Sequence, residues 1–65
     1  MASATAGHLE QAENSAGFAV SDLQQALKRA SALEGIMLLS LIERAALLKR
    51  DIAAMRAAVE ADGNG

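Results

Sequence analysis

The fold of this protein is decided by residues 20–59, which read VSDLQQALKRASALEGIMLLSLIERAALLKRDIAAMRAAV. Apolar residues recur along this stretch at steps of three and four, a spacing that places them on one side of an α-helix. Of the twelve positions reached by these steps, eleven are apolar and one is Glu34. The eleven apolar residues, here called the apolar stripe, are Val20, Leu23, Leu27, Ala30, Met37, Leu41, Ala45, Leu48, Ile52, Met55 and Val59. A stripe of this length has to be covered by another part of the chain or by another copy.

The composition predicts an all-α protein. The 65 residues are 52% hydrophobic, with no proline and a single aromatic residue, Phe18. Strands favour aromatic and β-branched residues, whereas this chain is rich in Ala, Leu, Met, Glu, Gln, Lys and Arg, which favour helices. We expect one small helical domain over residues 1–65, with frayed tails at 1–4 and 63–65.

The helix signals predict a short N-terminal helix and one long amphipathic helix. The first helix is expected to end near Asn14, because Gly17 offers a stop and favours a break over residues 15–20. Ser21 and Gln24 then form a capping box, in which each residue satisfies a backbone N–H of the other, and the long helix begins there. It is expected to continue to the glycine-rich C-terminus.

Gly35 leaves two alternatives for the long helix. In the first, the helix is continuous over 22–61, and packing offsets a glycine cost of about 1 kcal/mol relative to alanine. In the second, the chain reverses in a hairpin at Gly35, and a new helix starts at Ser40, which forms a capping box with Glu43. Residues 36–39 are Ile-Met-Leu-Leu, which is too apolar for a surface turn. The continuous helix is therefore the favoured prediction.

The apolar stripe predicts self-association. A chain of this length buries only about 60% of its unfolded surface, and it has no cysteine with which to form a stabilising disulfide. The stripe follows a heptad pattern with a stutter between Leu41 and Ala45. Glu34 interrupts it and is expected to reach the surface or to set the register. We expect the stripe to be the interface of a homo-oligomer, a coiled coil or helical bundle, with a dimer favoured.

A second apolar set surrounds residues 36–42 and consists of Leu33, Ile36, Leu39 and Ile42. With this set added, the helix is apolar on all sides there, which indicates burial on both faces. The favoured interpretation is that the set belongs to the protein's own core. The alternative is a second interface that binds a different protein.

Several function classes are excluded by what the sequence lacks. The net charge of −2 and the pI of about 5.1 come without a basic stripe, so no nucleic-acid partner is expected. The longest apolar run is far shorter than the roughly 20 residues of a membrane span, and no secretory signal is visible. We therefore expect a cytoplasmic protein without a membrane partner.

No catalytic, cofactor-binding or metal-binding residues are predicted. His8 is the only histidine and cannot form a metal site alone, and the serines have no nearby base. The sequence thus predicts a protein that is not an enzyme and has no cofactor. Its expected role is that of an oligomerising structural subunit, an adaptor or a small chaperone. The alternative is a small regulator, antitoxin-like or phage-inhibitor-like, that binds a target protein through the Leu33–Ile42 surface.

Overall fold

The chain forms a hairpin of two antiparallel helices. The computed structural model describes residues 4–63, in which α1 spans Ala4–Leu27 and α2 spans Ala32–Gly63. Contacts between Gly17 and Lys49, and between Leu27 and Gly35, show that the helices run in opposite directions. No strand occurs within residues 4–63, and the all-α prediction is confirmed. Most of the predicted frayed tails, residues 1–3 and 64–65, lies outside the described residues.

The reversal between the helices occupies residues 28–31. The N–H of Arg29 donates to the carbonyl of Ala26 at 3.0 Å, and the N–H of Ala30 donates to that of Leu27 at 3.2 Å. These i→i−3 bonds satisfy two of the carbonyls that a helix leaves free at its C-terminal end.

A capping box starts α2 immediately after this turn. The backbone N–H of Ser31 donates to Glu34 Oε1 at 2.9 Å, and the N–H of Glu34 donates to Ser31 Oγ at 3.3 Å. The reciprocal pair satisfies two backbone donors at the exposed end of the helix. The one polar position in the apolar stripe, Glu34, is thus explained by its role as an exposed capping residue of α2.

Two predicted boundaries are wrong. α1 continues without interruption through residues 15–20, and Ser21 lies inside it. Gly17 is half-buried there, with the Lys49 side chain near its Cα, and contact with α2 offsets the cost of a glycine in a helix. The chain also reverses at 28–31, so the long helix over 22–61 does not form and Gly35 lies in the first turn of α2.

The two helices meet along a narrow inner face. Of the residues whose burial is described, only Ala6 and Ala16 are buried. The half-buried apolar residues of this face include Leu9, Val20, Leu23 and Leu27 on α1 and Leu38, Ile42, Ala45, Ile52, Ala53 and Val59 on α2. Two helices alone cannot enclose a side chain from all directions, so the inner face remains partly open to water.

The Ser31 cap can be tested by a matched pair of serine substitutions. Ser31→Ala is expected to lower the free energy of unfolding by about 1 kcal/mol, because the cap is lost. Ser40→Ala is expected to be neutral or to stabilise by up to about 0.5 kcal/mol, because Ser40 lies inside α2, where alanine is the better helix former. Urea unfolding followed by circular dichroism measures both. If Ser40→Ala lowers the free energy of unfolding more than Ser31→Ala does, the turn lies beyond Gly35.

Candidate interaction surface

The hairpin exposes an unusual number of large apolar side chains for its size. Each is between 42% and 71% exposed: Phe18, Leu33, Ile36, Met37, Leu39, Leu41, Leu47, Leu48 and Met55. Single exposed apolar residues are ordinary on protein surfaces. Contiguous groups of them mark surfaces that bind another molecule.

The structure divides the apolar stripe between two faces. Seven of its residues are half-buried: Val20, Leu23 and Leu27 on α1, Ala30 in the turn, and Ala45, Ile52 and Val59 on α2. The other four, Met37, Leu41, Leu48 and Met55, are exposed. They lie on one side of α2, about a quarter turn from the inner face.

A continuous apolar surface, here called the lateral face, runs along this side of the hairpin. α2 contributes Met37, Leu41, Leu48 and Met55, and α1 contributes Ala12, Ala19 and Ala26, which repeat every seven residues and so share one side of that helix. Near the turn, Ala26, Ala30, Leu38 and Leu41 are among the residues that line an open groove of about 420 Å³. The groove shows that the sides of α1 and α2 involved belong to one surface.

The second apolar set is also divided. Leu33, Ile36 and Leu39 are more than half exposed, whereas Ile42 is half-buried on the inner face. Together with Leu47, the residues Leu33 and Ile36 lie on the outer face of α2, away from α1. The exposed members of the set thus contribute little to the core of a single hairpin.

The opposite side of the hairpin is mainly polar where α1 forms it. A groove of about 410 Å³ on that side is lined by Glu13, Asn14, Gly17, Phe18, Ser21 and Lys49. Within it, only Phe18 is a large apolar residue. On α2, Leu39 is also exposed on this side, since it lies one residue beyond Leu38 of the inner face and away from Met37. The two large apolar residues of this side, Phe18 and Leu39, are isolated and form no row like that of the lateral face.

One ion pair joins the helices in the described part of the chain. Arg56 Nη2 lies 3.1 Å from Glu13 Oε1, with the side chains 31% and 21% exposed. Oε1 itself is buried and accepts no well-aligned hydrogen bond, although both side chains are partly exposed to water. Such a pair contributes less than about 1 kcal/mol, and its main effect is to favour one register of α1 on α2.

The titratable side chains of the described residues were compared with the geometry of a metal site. No group of three His, Asp or Glu side chains within 4–63 is placed to bind a metal ion. His8 is exposed near the start of α1. Neither of the two helices in this range is long and apolar enough to cross a membrane.

Comparisons with known proteins identify no relative. The chain matches no family model, no curated protein sequence and no solved structure. The interpretation of the lateral face therefore rests on its own geometry.

Two features of this surface were missed by sequence reasoning, although signals for both were present. Ser31-Ala32-Leu33-Glu34 has the same capping pattern as the two serine pairs that were considered. The alanines at positions 12, 19 and 26 follow the heptad spacing of the apolar stripe. An alanine repeat in an alanine-rich chain is a weak signal.

Proposed function

We propose that this protein is a small helical subunit that acts by self-association, as a structural or adaptor-type protein, and that its smallest working form is a homodimer. The observation that carries the proposal is the absence of any fully buried large side chain among the described residues. A two-helix hairpin with two buried alanines has little core of its own, and a second copy would supply the missing cover. Action in the cytoplasm, without nucleic acid, membrane or cofactor, belongs to the same proposal.

The exposed area supports this proposal quantitatively. A compact monomer of 6.7 kDa is expected to expose roughly 3900 Å², whereas this hairpin, with Cα extents of 50 × 13 × 10 Å, exposes 4938 Å². The excess of about 1000 Å² is similar to the roughly 800 Å² that each partner buries in a stable protein–protein interface. Pairing would thus bring the exposed area per chain close to that of an ordinary small domain.

The mass in solution tests the proposal directly. At micromolar concentration, sedimentation equilibrium is expected to give at least twice the 6.7 kDa mass of one chain. The mass should fall on dilution together with helicity, because folding and association are coupled when the core forms between copies. A fully helical species of single-chain mass at 10 µM (a chosen test concentration) would overturn the proposal.

A second candidate function is that of a small regulator that binds a target protein through the Leu33–Ile42 surface. It is supported by the exposure of Leu33, Ile36 and Leu39 on a helix whose inner face is already in use. The substitutions Ile36→Ser and Leu39→Ser separate the two functions. Both residues lie off the lateral face, so helicity and chain mass are expected to stay unchanged in either case, and only a regulator would lose a target protein. Loss of mass or unfolding would instead show that the two residues belong to the core formed between copies.

A further inference from the structure

We infer that two copies pack together through their lateral faces, with α2 of each copy against α1 of the other. The inference rests on the proposed self-association and names the partner, a second copy of this chain, and its orientation. The two-fold axis runs parallel to the helices, so that both turns lie at the same end of a four-helix bundle.

The lateral face has large side chains on one helix and small ones on the other. Both kinds repeat every seven residues, at Leu41, Leu48 and Met55 on α2 and at Ala12, Ala19 and Ala26 on α1. Ala26 and Leu41 line the same groove. Equal steps along antiparallel helices therefore place Ala19 beside Leu48 and Ala12 beside Met55.

Shape selects the orientation of the second copy. With an axis perpendicular to the helices, Leu48 would face the partner's Leu48 and Ala19 the partner's Ala19. The leucines would hold the copies apart on one side and leave space between the alanines on the other. With the axis parallel to the helices, each Leu48 lies over the partner's Ala19. Large residues then fill the space above small ones along the whole face, as close packing requires.

Charge complementarity favours the same orientation. Arg44 on α2 and Asp22 on α1 are exposed, and neither has an ion-pair partner in the part of the chain that the structure describes. The contact between Gly17 and Lys49 sets the level of the two helices. Asp22 lies five residues after Gly17 and Arg44 five residues before Lys49, so the two are level. Both lie at the outer edge of the lateral face. In the dimer, Arg44 of each copy would lie next to the partner's Asp22, which gives two equivalent ion pairs.

Cysteine cross-linking tests the orientation, because the chain has no cysteine of its own. Leu48→Cys and Ala19→Cys are made as separate variants, and Ile36→Cys on the outer face is the control. Each is oxidised alone, and the first two are also mixed, unfolded and refolded together before oxidation. The expected result is a disulfide-linked dimer in the mixture and none in any variant alone. Circular dichroism before oxidation verifies that each variant folds.

The other outcomes each reject a different statement. A disulfide in Leu48→Cys alone would show that the α2 helices face each other, which overturns the orientation. A disulfide in Ile36→Cys alone, or a dimer mass without any cross-link in the mixture, would overturn the choice of face. A single-chain mass for the unmodified protein would instead overturn the proposed self-association itself.

Charge reversal provides a second measurement that needs no cross-link. Arg44→Asp and Asp22→Arg are each expected to raise the dissociation constant of the dimer about tenfold, because like charges then meet at both edges. The protein with both changes is expected to return to within about threefold of the original constant, since opposite charges face each other again. Additive weakening in the double variant would overturn the Arg44–Asp22 pairing.

Discussion

Ile42→Asp is expected to unfold the hairpin, whereas Leu39→Asp is expected to leave it folded. Ile42 is half-buried on the inner face, and Leu39 is 56% exposed on the same helix three residues earlier. An aspartate at position 42 removes apolar contact with α1 and places a carboxylate where little water reaches it. We expect a cost of about 3–5 kcal/mol, which is comparable to the whole stability of a domain of this size.

The control substitution introduces the same charge and the same weak helix former. Leu39→Asp is therefore expected to cost less than about 1 kcal/mol, mainly through helix propensity. Far-UV circular dichroism at 25 °C and urea unfolding measure both variants at equal chain concentration, because association contributes to apparent stability. Equal losses of stability at the two positions would show that Leu39 is also core, as the sequence pattern that groups the two residues predicts.

Replacing Gly17 and Gly35 together by alanine is expected to stabilise the protein by about 1–2 kcal/mol. Both glycines lie inside helices, and no described glycine has a positive φ. A methyl group at Gly17 would lie 3.5 Å from Lys49 Cε and Nζ, and one at Gly35 would lie 3.6 Å from Leu27 Cδ1. These are ordinary contacts, so the gain in helix propensity is retained.

Thermal unfolding at one fixed chain concentration measures the effect. Each 1 kcal/mol gained in the free energy of unfolding should raise the melting temperature by about 4–8 °C in a chain of this length. Gly7→Ala is the matched control, because it meets no atom within 4 Å and lies near the end of α1, where fraying reduces any gain. If Gly17→Ala alone lowers the stability, the helix is broken over residues 15–20, and if Gly35→Ala alone lowers it, the chain turns at Gly35.

The two glycines also show where sequence reasoning fails. Because glycine is a poor helix former, the sequence predicts a helix stop at Gly17 and, at Gly35, either a weak point inside a helix or a turn. Both lie beside the opposite helix, near Lys49 and Leu27 respectively, and packing between the two helices as a whole offsets the cost of each glycine. Such contacts join residues far apart in the chain, and local propensity contains no information about them.

The position of the turn was within reach of the sequence. Ser31 and Glu34 form a capping pattern as good as that of Ser40 and Glu43, and the residues before Ser31 include Lys28 and Arg29, which suit an exposed turn. The unbroken phase of the apolar stripe across 34–41 concealed it. The apolar spacing continues across the turn, although the stripe lies on the inner face in α1 and partly on the lateral side in α2.

Composition and apolar spacing determined the class of this protein. Strong helix formers without proline specify helices, and a stripe longer than one short helix requires a partner; both properties depend only on neighbours in the chain. Which apolar residues lie inside was decided by the tertiary structure alone. Once the chain reverses at 28–31, α1 covers Ile42 and Ile52 and leaves Leu41 and Leu48 exposed. These pairs are almost equal in hydrophobicity, and only the direction from which the second helix approaches distinguishes them.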